Sequence, residues 1–256
     1  MRTRVIKLGG RAQADPKLPA ALTAASAASA VVVVHGGGDE VSAMQRRLGL
    51  EPQFVGGRRV TSPADLEVVR MLLSGTVNKR LVAQLLSVGA RAVGISGEDG
   101  GLITARVVDP TFGRVGREVL ADASLLRTLL DAGWLPVVSP VARDREQADG
   151  VGLNVNGDDA ATALAVALHA DELLFVSDVA GVLEDGAVLP RLDHGSIKVL
   201  GDRGVVQGGM LAKLEAALAA LDAGVGAVRI GTLEAIADAN AGTTIVPAVS
   251  AQQETP

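Results

Sequence analysis

The sequence predicts an α/β protein, an αβα sandwich whose central, mainly parallel sheet carries helices on both faces. Short β-branched runs alternate with Ala- and Leu-rich stretches from one end of the chain to the other, the rhythm of βα units. Several of those runs are apolar throughout, as strands buried on both faces of a parallel sheet must be. Apolar residues make up 48% of the chain but aromatics only 2%, with one Trp and no Tyr, so the core is aliphatic.

In chain order, strands are predicted at 4–8, 31–34, 92–95, 135–138, 173–176 and 227–230. Between them the pattern gives helices at 16–28, 39–48, 63–86, 123–132, 158–170 and 208–223. The third helix has a readable start. Ser62 is a good N-cap, Pro63 suits the first helical position, and Asp65 places negative charge at the positive dipole end. Residues 51–61 and 101–119 lack helical periodicity and read as hairpins or lids over one edge of the sheet. The polar stretch 143–152 reads as an exposed loop, and 251–256 as a frayed tail. At 256 residues the chain holds one large domain or two joined halves.

A net charge of −5 argues against a nucleic-acid or anionic-membrane binder, which needs a broad basic surface, though a few lysines suffice for a phosphate ligand. With no cysteine, the chain lacks disulfides, thiolate catalysis and Cys-ligated metal. No apolar run reaches the length of a membrane span, and the N-terminus MRTRVIKLGG reads as a first strand, not a signal peptide. The expectation is a cytoplasmic protein.

Five clusters can carry chemistry. VVVVHGGG over 31–38 runs a buried strand into three glycines and a helix, which lets backbone N–H groups approach an anion at the helix N-terminus. His35 in it reads equally as a core histidine satisfied by backbone or as a catalytic group. Lys7, ahead of Gly9 and Gly10, lies in an otherwise apolar strand and at the carboxyl edge of a parallel sheet would point into the ligand crevice. QGGMLAK over 207–213 opens another helix with paired glycines, and Lys213 sits where the dipole disfavours a cation unless a phosphate is bound; on charge alone it reads as a solvated lysine. NVNGDD over 154–159 gathers more polar residues than helix capping needs, and Asp158 could hold two lysines in position. GRRVT over 57–61 offers arginine for carboxylate recognition, although adjacent arginines are also a common solvated pair.

Absences narrow the choice. The sequence has no G-x-x-x-x-G-K-[S/T], no G-x-G-x-x-G between strand and helix, and only three dispersed histidines, His35, His169 and His194. A P-loop enzyme, a dinucleotide enzyme and a metal hydrolase are therefore disfavoured.

Taken in order, IKLGG (6–10), VVHGGG (33–38), FVGGRRVT (54–61), GTVNKRL (75–81), AVGISGEDG (92–100), LPVVSP (135–140), NVNGDDAA (154–161), SDVAGVL (177–183) and GGMLAKL (208–214) resemble the amino-acid kinase family across nearly the whole chain. The likeness is greatest to its branch acting on N-acetylglutamate. The resemblance implies the amino-acid kinase fold, with an N-terminal lobe over 1–170 for substrate and dimerisation and a C-terminal lobe over 171–256 for ATP. It implies transfer of a phosphoryl group from ATP, with Mg²⁺ held mainly by the nucleotide phosphates, to the γ-carboxylate of N-acetyl-L-glutamate, the second step of arginine (ornithine) biosynthesis. Lys7 and Lys213 would stabilise the transferring group and Asp158 would organise them. Gly37, Gly38, Arg59, Asn154 and Asn156 would bind the acylated amino acid, with Arg59 on its α-carboxylate. Gly9 and Gly10 would surround the γ-phosphate. Ser177, Asp178, Val179, Gly181, Val182 and Leu183, with Val205, Val206, Gln207 and Met210, would fall on the nucleotide site.

Three positions depart from the family pattern: Gly157, where the N-acetylglutamate branch usually has Ala, and the added cations Arg11 and Arg58. Relatives acting on a carrier-linked aminoadipate or glutamate share a similar Gly-Asp and form the leading alternative. A sensing domain without catalysis would be expected to have lost Lys7, Lys213 or Asp158, and all three are present. A uridylate or isopentenyl-phosphate kinase would need a second phosphate site where Arg59 and Asn154 suit a carboxylate and an amide. The chain starts almost directly at its first strand, whereas arginine-inhibited members carry an extra N-terminal helix. The expectation is a homodimer insensitive to arginine.

Overall fold

The computed structural model describes residues 1–56, 58–147 and 150–247. An eight-stranded sheet forms its centre, in the order Arg191–Leu192, Thr243–Ile245, Val228–Gly231, Glu172–Val176, Thr3–Leu8, Ala30–His35, Leu135–Ser139, Ala92–Ser96. Six neighbouring strands run parallel, and Thr243–Ile245 pairs antiparallel with Val228–Gly231. All six predicted strands are present within a residue or so of their expected bounds. The two at the far edge, of two and three residues, are too short to leave a run in the sequence.

Strand alternation sorts side chains between two aliphatic cores. Val5, Val32, Val34, Leu173, Phe175 and Ile230 pack on one face, under the helices Gly157–Leu168 and Gly208–Asp222. Ile6, Leu8, Val31, Val33, Leu174 and Val176 pack on the other, under Leu18–Ala28 and Asn78–Ser87. Lys7, two residues beyond Val5, therefore faces the first pair of helices. In register it lies between Val34 and Phe175.

The helix expected at 63–86 is three pieces: Pro63–Arg70, a π-helical turn Met71–Val77, and Asn78–Ser87. Its start is as expected: Ser62 Oγ accepts from the Asp65 amide at 3.2 Å and the Ser62 amide donates to Asp65 Oδ2 at 2.9 Å, with Pro63 at the first position. The hairpin expected at 51–61 is the pair Phe54–Val55 and Arg58–Arg59; Gly57, between them, lies outside the described residues.

Of the two readings for 101–119 the hairpin holds and not the lid, since Ile103–Arg106 and Val115–Ala121 pair antiparallel. One expectation needs correction: 143–152 is not simply an exposed loop. Ile103–Arg106, Val115–Ala121, Val141–Asp144 and Gly152–Val155 close into a four-stranded ring beside the main sheet, with Asp144 buried. Gly97 and Gly116 make room for it, since a Cβ there would sit 2.5 Å from the Val141 carbonyl oxygen and 2.7 Å from the Ala105 Cβ. The tail 251–256 lies outside the described residues. Among the described residues no helix is long and apolar enough to cross a membrane.

Candidate active site

The carboxyl ends of the first two parallel strands lie side by side, with Leu8 opposite His35. Each runs into a glycine turn. Gly9 N–H donates to the Val176 carbonyl at 2.9 Å, and a Cβ on Gly9 would come within 3.1 Å of that oxygen. Gly37 caps the helix Gly38–Arg47 at φ +155°, where a Cβ would lie 2.7 Å from Leu73 Cδ2. The π-helical turn that carries Leu73 thus packs against the glycine turn.

His35 is the core histidine of the two readings. It is fully buried, its Nδ1 lies 2.9 Å from the Gly36 carbonyl and its Nε2 3.2 Å from Asn78 Nδ2. With Nδ1–H donating and Nε2 accepting, both ring nitrogens are satisfied in the neutral form. Burial pulls its pKa down to about 4, against the partial upward pull of the Gly36 hydrogen bond.

Lys7 and Lys213 meet on Asp158. Lys7 Nζ is 2.7 Å from Asp158 Oδ1, and Lys213 Nζ is 2.8 Å from Oδ2. The Asp158 carboxylate sits in the first turn of the helix Gly157–Leu168, where Asn156 Oδ1 accepts from its amide at 2.7 Å. Burial pushes that carboxyl upward, but the two ammonium groups together outweigh it and hold the pKa below the ordinary aspartate value. Lys213 also stands over the Phe175 ring, 4.9 Å from its centroid. Its pKa is lowered, first by burial and then by the charge of Lys7, with Asp158 pulling the other way. It is not the solvated lysine of the charge argument, since its side chain is only 15% exposed.

A cavity of about 250 Å³ opens beside this bridge. Lys7, Gly37, Gly38, Arg59, Asn154, Asn156 and Asp158 all line it, together with Phe54, Leu73, Val115 and Pro140. Arg59 is buried beneath Phe54, 4.7 Å from the ring centroid, and donates to the Gly38 carbonyl at 2.8 Å, to Ser42 Oγ at 2.7 Å and to Gln45 Oε1. Its pKa is lowered by burial, against the upward pull of Asp65. Asn154 Nδ2 donates to Thr61 Oγ1 at 3.0 Å. Phe54, Ser42 and Gln45 were not foreseen from the sequence. The last two lie one helical turn apart after the triple glycine, which is the signal that could have found them.

None of the residues expected at a nucleotide lines this cavity. Ser177 and Asp178 line a separate pocket of about 310 Å³ with Arg11, Asp15, Lys17 and Glu234, and Arg11 Nη1 meets Asp178 Oδ2 at 2.8 Å. Gly181, at φ +157°, passes under Thr243, whose Oγ1 accepts from the Val182 amide at 2.8 Å. Val182 and Val206 are core residues, so neither offers its side chain to a ligand, while Leu183 and Val205 are exposed. Gln207 precedes the helix Gly208–Asp222, and Met210 packs on its core side. Gly10 has open space where a Cβ would stand.

The arrangement puts two cations and a set of glycine turns beside a pocket that can seat an amide and a carboxylate. Comparison with known proteins agrees in kind. Residues 2–232 match the model of the amino acid kinase family. An acetylglutamate kinase of Chloroflexus aurantiacus is 44% identical over 239 residues, covering 91% of this chain and 93% of its own. An acetylglutamate kinase of Roseiflexus sp. is 46% identical over 251 residues, covering 95% and 93%. A crystal structure from Streptococcus mutans UA159, described as smu.665, superposes with a TM-score of 0.83 at 31% identity, covering 95% of this chain and 98% of that one.

Proposed function

The chain belongs to the amino acid kinase family, and we propose that it transfers the γ-phosphoryl group of ATP to the side-chain carboxylate of N-acetyl-L-glutamate. The observation that carries this reading is the sharing of one carboxylate, Asp158, by Lys7 and Lys213 at the mouth of a pocket that also holds Arg59 and Asn154.

Phosphoryl transfer leaves a protein little covalent work, so positioning and charge stabilisation dominate. The nucleophile is a carboxylate already ionised at neutral pH and needs no general base. Its oxygen attacks the γ-phosphorus in line, the bond from that phosphorus to the β,γ-bridging oxygen breaks, and the products are an acyl phosphate and ADP. Lys7 and Lys213, freed in part from Asp158, offset the charge on the moving group. The Gly10 N–H and those of the glycine turn at 36–38 add hydrogen bonds to it, the Gly9 N–H being taken by the Val176 carbonyl. Arg59 takes the α-carboxylate and Asn154 the amide, with Asn156 and the N–H groups of Gly37 and Gly38 completing the seat.

The nucleotide rests over Ser177–Leu183 by its backbone and against Val205, Gln207 and Met210. Mg²⁺ fits as a group bound mainly by the phosphates, because both oxygens of Asp158 are occupied by ammonium groups. The metal would supply charge neutralisation on the β- and γ-oxygens. In this reading residues 1–170 form the substrate lobe and 171–256 the nucleotide lobe of a cytoplasmic homodimer.

The test is hydroxylamine trapping with ATP and Mg²⁺, comparing N-acetyl-L-glutamate, N-succinyl-L-glutamate, L-glutamate and L-aspartate. Hydroxamate from N-acetyl-L-glutamate, well above the others, is expected. Hydroxamate from none of the four removes the acyl-phosphate reading.

A further inference from the structure

Behind the substrate cavity lies a second chamber of about 220 Å³, lined by Arg58, Val108, Asp109, Phe112, Val115 and Arg117. The two share a wall, Arg58 and Val115. Val115 is the register partner of Asn154, so the shared wall stands next to the side chain that would hold the substrate amide. Arg58, an addition to the family pattern, lines both cavities and is held by Asp159, Nη1 at 3.2 Å from Oδ2.

The far side of the chamber is built, not incidental. The segment that carries Phe112 is stitched to the strand that carries Arg58 and Arg59. The Thr61 amide donates to the Phe112 carbonyl at 2.9 Å, and the Arg114 amide to the Thr61 carbonyl at 2.7 Å. Gly113 makes this contact possible: at φ +68°, a Cβ there would lie 2.3 Å from the Thr61 carbonyl oxygen. Thr61 in turn accepts from Asn154 at 3.0 Å. Substrate cavity and chamber are thus held in one fixed relation.

A bound N-acyl-L-glutamate has three branches. Lys7 and Asp158 mark the end for its side-chain carboxylate and Arg59 the end for its α-carboxylate. The acyl group, beside Asn154, is left facing Val115 and Arg58. We propose that the chamber is an acyl-tail subsite, and that the enzyme accepts N-acyl-L-glutamates with straight alkyl chains longer than acetyl, Arg58 swinging aside to admit them. This inference rests on the reading of the substrate cavity given above. Val108, Phe112 and Val115 supply apolar walls, and the volume suits several methylene groups at about 30 Å³ per water-sized group. Each methylene buried there lowers KM by up to about fourfold, offset by displacement of Arg58.

The test measures hydroxamate formation from N-acetyl-, N-butyryl- and N-hexanoyl-L-glutamate by the wild type and by Val108→Trp. Val108 is 51% exposed on the rim, so the substitution fills the chamber without entering the main core, and a thermal melt checks the fold. The expected result is turnover of the butyryl and hexanoyl substrates with kcat/KM within about tenfold of N-acetyl. Val108→Trp lowers the two longer substrates at least tenfold and N-acetyl by less than twofold. Turnover of N-acetyl alone in the wild type, or an equal loss on all three in the variant, overturns the subsite and leaves the kinase reading standing. Turnover of the longer substrates without N-acetyl supports the subsite and overturns the acetyl assignment, and hydroxamate from none of the three overturns both.

Discussion

Lys7 and Lys213 lie on a strand and a helix more than two hundred residues apart in the chain, yet they occupy the two oxygens of one carboxylate, at 2.7 and 2.8 Å from Asp158. Asp158 therefore holds two like charges close together before any phosphate arrives. If those charges act on the moving phosphoryl group, their contribution belongs to the transition state. Lys7→Ala and Lys213→Ala should each lower kcat by about 100- to 1,000-fold, the range for loss of one preorganised donor, with little change in the KM for the amino acid. Steady-state kinetics decide it, and a change confined to KM contradicts the role.

The same triad sets a pH limit. Lys213 has its pKa lowered from 10.5 by burial and by Lys7, while Asp158 pulls it back up. Its charge is present below that lowered pKa and lost above it. The alkaline limb of kcat/KM should then fall with a midpoint below 10.5. Asp158→Asn removes the upward pull and should move the midpoint to still lower pH. A limb that stays in place in Asp158→Asn rules out Lys213 as its source.

Arg59 holds a different place in the kinetics. It is buried under Phe54 and fixed by Gly38, Ser42 and Gln45, a preorganised partner for a carboxylate. Arg59→Ala should raise the KM for the amino-acid substrate by about 10- to 100-fold, as expected for a hydrogen bond to a charged group worth ~1.5–3 kcal/mol, with kcat much less affected. Equal losses in kcat and kcat/KM would place Arg59 at the reacting end instead.

His35 makes a prediction for stability. Its pKa falls from 6.5 to about 4 in the fold, chiefly by burial. Between those values the unfolded chain binds the proton and the folded chain does not, so stability rises with pH across that window and is lost as pH falls through it. At about 1.4 kcal/mol for each pH step of one across the window, the whole loss is on the order of 3 kcal/mol. Urea unfolding of the wild type should become steeply easier from pH 6.5 to 4, and His35→Gln should flatten that slope. Parallel slopes in the two proteins would show that the loss arises elsewhere.

Much of this was legible in the sequence because parallel strands buried on both faces leave unmistakable runs, and because Lys7 interrupts one of them; Lys213 taken alone reads as a solvated lysine and Asp158 as a helix cap, and it is the ordered set of motifs that singles them out. What joins them was not legible. That Lys7 faces Asp158 depends on strand parity, Val5 and Lys7 on one face, combined with which helix covers that face. The ring formed by Ile103–Arg106, Val115–Ala121, Val141–Asp144 and Gly152–Val155 leaves no clear pattern, since its strands are short and interrupted by glycine and charge, and it closes through pairings between strands far apart in the chain, Asn154 with Val115 and Thr104 with Arg143. The π-helical turn at Met71–Val77 left no mark either. It adds a residue to a turn without breaking the apolar pattern on either side, yet it sets Leu73 against Gly37 and Asn78 against His35.

The opposite edge of the sheet carries a buried charge with no part in the chemistry. Glu172, only 1% exposed, receives Arg4 Nε at 2.6 Å, Arg229 Nη1 at 3.1 Å and Arg2 Nη2 at 3.7 Å. Arg229 is itself buried, its pKa lowered first by burial, and its Nη2 also donates to the carbonyls of Ala235, Asp238 and Ala241. This one carboxylate thus ties the first strand to two others and to the loop beyond Val228–Gly231. Removing it leaves the Arg229 charge buried and uncompensated, which costs about 3–5 kcal/mol when one partner of a buried pair is lost. Glu172→Ala should lower the urea midpoint accordingly. At a temperature where the variant is still folded, kcat should be unchanged, because the cluster sits at the amino ends of the strands and Lys7 at the carboxyl end. A variant as stable as the wild type would mean that water reaches Arg229 readily, and a loss of kcat without loss of stability would mean that the two edges are coupled through the strand between Arg4 and Lys7.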